Sequence, residues 1–511
     1  MKRFIILSCA FVTATCCAYV ARADVTYEKS QEGDQQLEIV RLSVTPAPEP
    51  MPALRHRFVT RDVDLKSGNA VPYYYRAFME SRSTVKQMRE KFDDEKQLGL
   101  WNTTGEDATP IAKLPLDKVR EASRMFDSIY SNHLRSAFER SDCEWELGVE
   151  DIRGIDIISF LLPEFQDSRE VARMMALRTR LAIAEHRYDD AIETMRHQYR
   201  LGSDVAKVPF LVCGLIGIAI DSIGNGTAVD LIANPDSPNL YWALTELPQP
   251  AIDLRSAARF EMGFGPRMFP FIDHADTAEH SPQEWNWLYT KALGDLTNVT
   301  GQLSIANQPD VSPQVKDTQV GLAATGLALL GYTHAKARLV AQGMDPQRVE
   351  QMSVGQVMAV YSERVYRKYS DEFEKSWYLP FTDMRFSGQE LERRVIEAMP
   401  FGTGEDREVL PIVSFLLPAM YSARSAQVRL ERDIAALRVI EALRMYAAEH
   451  NRQLPASLED IKAVPVPLNP ATAQPFVYHL NGGTAVLELP ASDGIINGNR
   501  RYEIQIATDK K

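Results

Sequence analysis

Apolar positions along this chain fall mostly three and four residues apart, the spacing of one buried helix face. The clearest case runs from Ser168 to about Ser203. Met174, Leu177, Leu181 and Ala184 form one stripe, the chain turns at His186-Arg187-Tyr188, and Ala191, Ile192 and Met195 begin a second. This pattern predicts two antiparallel helices joined by a short turn. After Pro209, the run Phe210 to Ile220 is apolar on nearly every side, which reads as a core helix too short for a membrane span; Val320 to Tyr332 reads the same way. Ser281-Pro282-Gln283-Glu284 carries the serine and glutamate of a capping box, with Trp285, Trp287 and Leu288 as the buried anchors of the helix it opens. Leu430, Ile434, Leu437, Ile440, Leu443 and Ala447 predict a long amphipathic helix that ends before Leu454-Pro455.

The helical period fails at both ends of the chain. Residues 24–60 read as an extended or irregular entry segment, because Leu37 to Val44 mixes β-branched and polar residues and Pro46, Pro48, Pro50 and Pro52 break any regular element. Asn69 is placed to cap the first helix, which carries Tyr73, Tyr74 and Ala77. Near the other end, Ala463-Val-Pro-Val-Pro-Leu-Asn-Pro470 cannot be helical. Phe476 to Tyr478 and Ala485 to Leu489 then flank Asn481-Gly482-Gly483, a hairpin signal. The expected fold is mainly α: irregular helical hairpins over 61–400, and a C-terminal module over 401–511 that combines the long helix with a small antiparallel sheet. Ser159-Phe-Leu-Leu-Pro163 recurs as Ser414-Phe-Leu-Leu-Pro418, which admits either an internal duplication or shared helix grammar.

Residues 1–23 change the picture of where such a fold works. Lys2 and Arg3, the apolar run Phe4 to Val20, and Ala21-Arg22-Ala23 read as a secretory signal peptide, so the expected location is periplasmic or secreted. No transmembrane span is expected after cleavage. Cys9, Cys16 and Cys17 would leave with the signal, and the remaining pair, Cys143 and Cys213, would sit in a compartment that permits one disulfide between them. The formal net charge of −12 becomes more negative once Lys2, Arg3 and Arg22 are removed. With no stretch of Lys and Arg free of interleaved acids, nucleic acid is not an expected partner.

Several phrases resemble an uncharacterised family of exported proteins abundant in planctomycete bacteria. They include Gly68-Asn-Ala70 with Tyr74-Tyr-Arg-Ala77, Cys143-Glu-Trp145, Leu161-Leu-Pro163-Glu164, Ala184-Glu-His-Arg-Tyr188, and Asn239-Leu-Tyr-Trp-Ala-Leu244 with Leu247-Pro-Gln-Pro250. The resemblance covers most of the mature chain and implies no assigned activity. Tyr188, Ala191 and Ile192 resemble the turn and second helix of a tetratricopeptide repeat, although the preceding helix lacks that repeat's Leu-Gly pair. Leu454-Pro455 with Asn469-Pro470 and Pro475-Phe476-x-Tyr478 is similar to the soluble end of type II secretion major pseudopilins. No prepilin cleavage motif opens the chain, so the resemblance does not imply polymerisation.

Signatures of familiar chemistry are missing from the sequence: Gly-x-Ser-x-Gly, His-Glu-x-x-His, the phosphate-binding Gly-x4-Gly-Lys-Ser/Thr and a complete Gly-x-Gly-x-x-Gly are all absent. Ser83-Thr-Val-Lys86 fits a Ser-x-x-Lys pattern but reads as a solvated helix face. The polar cluster with most potential is Asp273 to His280, where His274, Asp276 and His280 are weak candidate ligands for a divalent metal. His186 and His450 at helix ends, and Asp189-Asp190 in a first helical turn, read as partners of the helix dipole. No cofactor and no catalytic residue is assigned. The leading expectation is an exported, non-enzymatic interaction or scaffold protein of the cell envelope with a protein partner. The alternatives are a hydrolase or metal-binding enzyme with an unrecognised site, and an accessory of a secretion machine.

Overall fold

The computed structural model describes residues 24–32, 35–92, 95–154, 157, 163–304, 326, 330–399, 402, 404–416, 418–491, 495 and 498–507. Residues 1–23, most of 320–332 and 159–162 of the first Ser-Phe-Leu-Leu-Pro copy lie outside them.

Strands at both ends of the chain build one sheet. β1 (Asp24–Glu32) and β2 (Gln35–Val44) come from the N-terminal segment. A small parallel pair follows, β3 (Lys66–Asn69) with β4 (Arg140–Asp142). β5 (Val477–Asn481), β6 (Thr484–Leu489) and β7 (Arg500–Ile506) close the chain, and the main sheet has the order β1-β2-β7-β6-β5. β2 and β7 run parallel, with Glu38 opposite Arg500 and Val44 opposite Ile506; the other neighbours are antiparallel. Alternation sets the faces. Val40, Leu42 and Val44 of β2, Leu487 and Leu489 of β6, and Tyr502 and Ile504 of β7 point into the core. Exposed Arg41 instead bridges Glu28 at 2.5 Å and Glu503 at 2.8 Å across its neighbouring strands. The hairpin foreseen at Asn481-Gly-Gly483 forms, with Gly482 (φ 56°) and Gly483 (φ 89°) both left-handed, a backbone that L side chains disfavour. Residues 24–44 therefore belong to the C-terminal sheet and are not an isolated entry segment. Local pattern cannot reveal that pairing, because the partners Glu38 and Arg500 are 462 residues apart in the chain.

The rest of the described chain is mainly helical. The principal helices are α1 (Val71–Lys91), α2 (Leu116–Ile129), α3 (Pro163–Ala184), α4 (Tyr188–Val205), α5 (Leu211–Ile232), α6 (Tyr241–Thr245), α7 (Pro282–Ser304), α8 (Val354–Ser376), α9 (Phe381–Ala398) and α10 (Pro418–Glu449). α3 and α4 are the predicted antiparallel pair, turning at Glu185-His186-Arg187 with His186 left-handed at φ 56°. α5 packs on both, and α10 packs on α5, α6 and α9. α4 and α5 meet backbone to backbone: a Cβ on Gly217 would lie 2.6 Å from the Gly202 carbonyl oxygen.

Several expectations change in detail. α5 runs to Ile232, long and apolar enough by length and composition to cross a membrane, yet 67% of its most apolar window is buried inside the fold. It is not buried all round either, since Val212 and Leu215 are exposed. The capping box at α7 is present: the Glu284 carboxylate accepts from the Ser281 amide at 2.7 Å, and the Glu284 amide donates to Ser281 Oγ at 3.3 Å. Trp285 is buried, but Trp287 stands 61% exposed, because residues two apart on a helix face different directions. Asn69 lies in β3; its Oδ1 accepts from the amides of Val71 and Glu144, and its Nδ2 donates to the Glu144 carbonyl, so it ties the helix start to the chain leaving β4. α10 buries its predicted stripe and also the charged side chains of Arg432, Glu441 and Arg444. Cys143 and Cys213 are both buried and free. Cys143 lies near the end of α4, its Sγ 3.9 Å from the Asp204 carbonyl that also accepts from Trp145 Nε1, whereas Cys213 lies inside α5. Burial pushes both thiols up, that of Cys213 to about 12.

Candidate functional site

The candidate metal ligands are not gathered into a site. His274 is left-handed (φ 58°) with its side chain 76% exposed, and its Nε2 lies 3.9 Å from Asp273, which also pairs with Arg367. The Asp276 backbone carbonyl accepts from Arg348, and the His280 ring meets Trp285 edge-on at 4.8 Å between centroids. Among the described residues no three His, Cys, Asp or Glu side chains are placed to share a metal ion. The neighbouring carboxylate, Glu363 of α8, already holds Arg367 at 2.9 Å. Ser83 Oγ donates to the Glu80 carbonyl on an exposed face of α1. His186 bonds the Tyr188 hydroxyl, and His450 stacks flat on Tyr446 at 3.8 Å.

What sequence reasoning missed is a set of buried charged groups that fasten distant segments. Arg180 of α3, fully buried, donates Nε to Asp230 of α5 at 2.9 Å, Nη1 to the Trp101 carbonyl at 2.7 Å, and Nη2 to the Thr109 carbonyl. Arg444 of α10 holds both Glu441 oxygens, at 2.9 and 3.1 Å, and donates to the carbonyls of Thr45 and Ser237. Asp204 at the end of α4 takes Tyr74, Arg200 and Lys207 on its carboxylate. Two more carboxyls cap helices from inside. Glu261 accepts from the Leu211 amide at the start of α5, and Glu408 accepts from the amides of Val413 and Ser414. Burial pushes both up to about 7, against the pull of those amides. His197 is driven the other way, to about 3, chiefly by burial, while its Nδ1 pairs with the Tyr130 hydroxyl. A lone Arg or Glu on an apolar helix face was the available signal, and such residues are read by default as solvated.

Cavities offer more than these interior groups do. One of about 520 Å³ between α1 and α3 is lined by Arg89 and Arg173, but both pair with Glu170, at 3.4 and 2.5 Å. A second, of about 350 Å³, lies along α10. Its floor is the stripe Glu431, Ile434, Ala435 and Arg438, spaced i, i+3, i+4 and i+7 on one helix face. One wall is the stretch Pro465, Pro467, Leu468 and Pro470; the other comes from Leu244, Leu247, Pro248 and Ala251. The proline-rich stretch has little choice but to stay extended, since its prolines fix φ and lack N–H donors. The Tyr241 hydroxyl donates to the Pro465 carbonyl and pins that wall to α6. Leu468 is 52% exposed at the rim.

The two charged groups of the groove differ from those of the interior. Arg438 forms no ion pair with any described residue; its guanidinium carbon lies 5.4 Å from the Tyr241 ring centroid, and its Nε is buried without a hydrogen-bond partner. Glu431 accepts from Gln427 Nε2 at 3.1 Å, and burial raises its pKa. The arrangement can grip an apolar body and offer a fixed cation to an anionic end. No protein-family model matches the chain, and neither a curated protein nor a solved structure is significantly similar to it.

Proposed function

We propose that this is an exported interaction or scaffold protein of the cell envelope, non-enzymatic, that holds a protein partner along α10. The observation that carries this reading is the groove itself, whose volume of about 350 Å³ falls in the usual range of binding sites, roughly 300–1,000 Å³, and whose surface joins apolar walls to a cation, Arg438, that has no acidic partner among the described residues. Export rests on the signal-like residues 1–23, and the breadth of helical surface around the groove suits a scaffold.

Cross-linking the tagged mature chain in its native envelope fraction, followed by mass spectrometry, tests the proposal. The expected result is one stoichiometric partner, lost when Leu468→Glu places a charge at the rim. A chain that captures nothing, or captures the same proteins with and without that substitution, removes the reading.

A further inference from the structure

We propose that the α10 groove binds the C-terminal end of an apolar peptide, with the peptide's terminal carboxylate on the Arg438 guanidinium. This rests on the interaction reading above and gives its ligand a chemistry.

Arg438 lines the groove, and its partner set is incomplete. Nη2 reaches the Tyr241 hydroxyl at 3.5 Å, too long for a firm bond, and that hydroxyl already donates to Pro465. The Tyr241 ring, 5.4 Å from the guanidinium carbon, limits where the guanidinium can go, and its Nη donors are left to meet a carboxylate. An arginine held this way and left without an anion contrasts with Arg180 and Arg444, which the fold supplies with acids.

The walls select what the anion is attached to. Proline and leucine side chains give an apolar lining in which the prolines have no N–H to offer, so an incoming chain is held by its side chains and its terminus, not by strand pairing. Glu431 then lies opposite the third residue from the terminus. It precedes Arg438 by seven residues, nearly two turns, on the same face of α10, which separates their Cα atoms by about 10.5 Å along the helix axis. An extended tripeptide spans about 10 Å. A free tripeptide with its carboxylate on Arg438 brings its ammonium group within reach of the Glu431 carboxyl, whereas a longer chain presents a backbone N–H there.

The test uses the tripeptide Leu-Ala-Leu and isothermal titration of the mature chain. The free acid should bind at least tenfold more tightly than the C-terminal amide, and Arg438→Met should abolish that discrimination. Glu431→Gln should weaken Leu-Ala-Leu while leaving its N-acetyl form unchanged. Because acid and amide are compared on the unaltered protein, a misfolded variant cannot imitate the result. Equal affinity for acid and amide, no binding at millimolar peptide, or octanoate binding as tightly as the peptide would overturn the proposal. Partner capture that persists in Arg438→Met would overturn it as well and leave the interaction reading standing. Peptide discrimination without any captured partner would do the reverse.

Discussion

Arg180→Met should be among the most damaging single changes in this protein, at roughly 3–5 kcal/mol, the range for breaking a buried ion pair. Methionine fills much of the same space but donates nothing. The Asp230 carboxylate loses a charge-assisted bond at 2.9 Å, and the carbonyls of Trp101 and Thr109 lose their donors. Each unmet buried acceptor costs about 1–3 kcal/mol, and the terms overlap, because a loosened 102–109 loop lets water reach both carbonyls. Relaxation of that kind keeps the total near the range for the pair alone. Urea denaturation should show a lower midpoint with an unchanged slope. Amide exchange should accelerate first in 102–109, the segment that Arg180 ties to α3 and α5. Arg180→Lys, which keeps the charge but cannot serve three acceptors in a plane, should fall between wild type and methionine. A cost under about 1 kcal/mol, or unchanged exchange in 102–109, would refute the reasoning that buried cations hold this fold's loops.

Arg444→Met should cost a similar 3–5 kcal/mol and release residues 45–47 together with 237–240, seen as lost exchange protection in both. The stability contributed by Glu261 and Glu408 should fall as pH rises from about 5 to 8, partly offset up to about 6.5 by His197, whose folded pKa of about 3 lies below its unfolded 6.5. Glu261 and Glu408 have folded pKa values of about 7 against 4.5 unfolded, so the stability they contribute is fully present below 4.5 and lost on passing 7. The effect is at most about 3 kcal/mol for each; Glu408→Gln, a neutral acceptor, should flatten that slope in pH-dependent urea midpoints. Gly217→Ala should destabilise by roughly 1–3 kcal/mol, since its Cβ would lie 2.6 Å from the Gly202 carbonyl and α4 would have to move; a melting temperature equal to wild type would contradict the close helix crossing.

Much of the helical layout was legible because its signals are local. The stripes of α3 and α4, the Ser281/Glu284 box and the Gly482-Gly483 turn each depend on residues a few positions apart. The β2–β7 pairing was not legible, because it joins the two ends of the chain in parallel, and nothing within either segment encodes the other's register. Trp287 misled because aromatic character alone does not say which face of α7 is buried. At the candidate site the parts were visible and the whole was not. The helical stripe of α10 and the non-helical run 463–470 could be read separately, yet the groove exists only where tertiary packing brings them together. The histidine and aspartate cluster at 273–280 shows the reverse: closeness in sequence put possible ligand types on one loop, and in the fold they are paired with arginines and Trp285.

The most direct test of an interaction surface along α10 is site-specific photo-cross-linking in the native envelope fraction. A photoreactive residue placed at Leu468 on the groove rim is compared with one at Trp287, exposed on α7. The account predicts a single discrete adduct from position 468 and none from 287. Adducts of the same pattern from both positions, or none from 468, would contradict it.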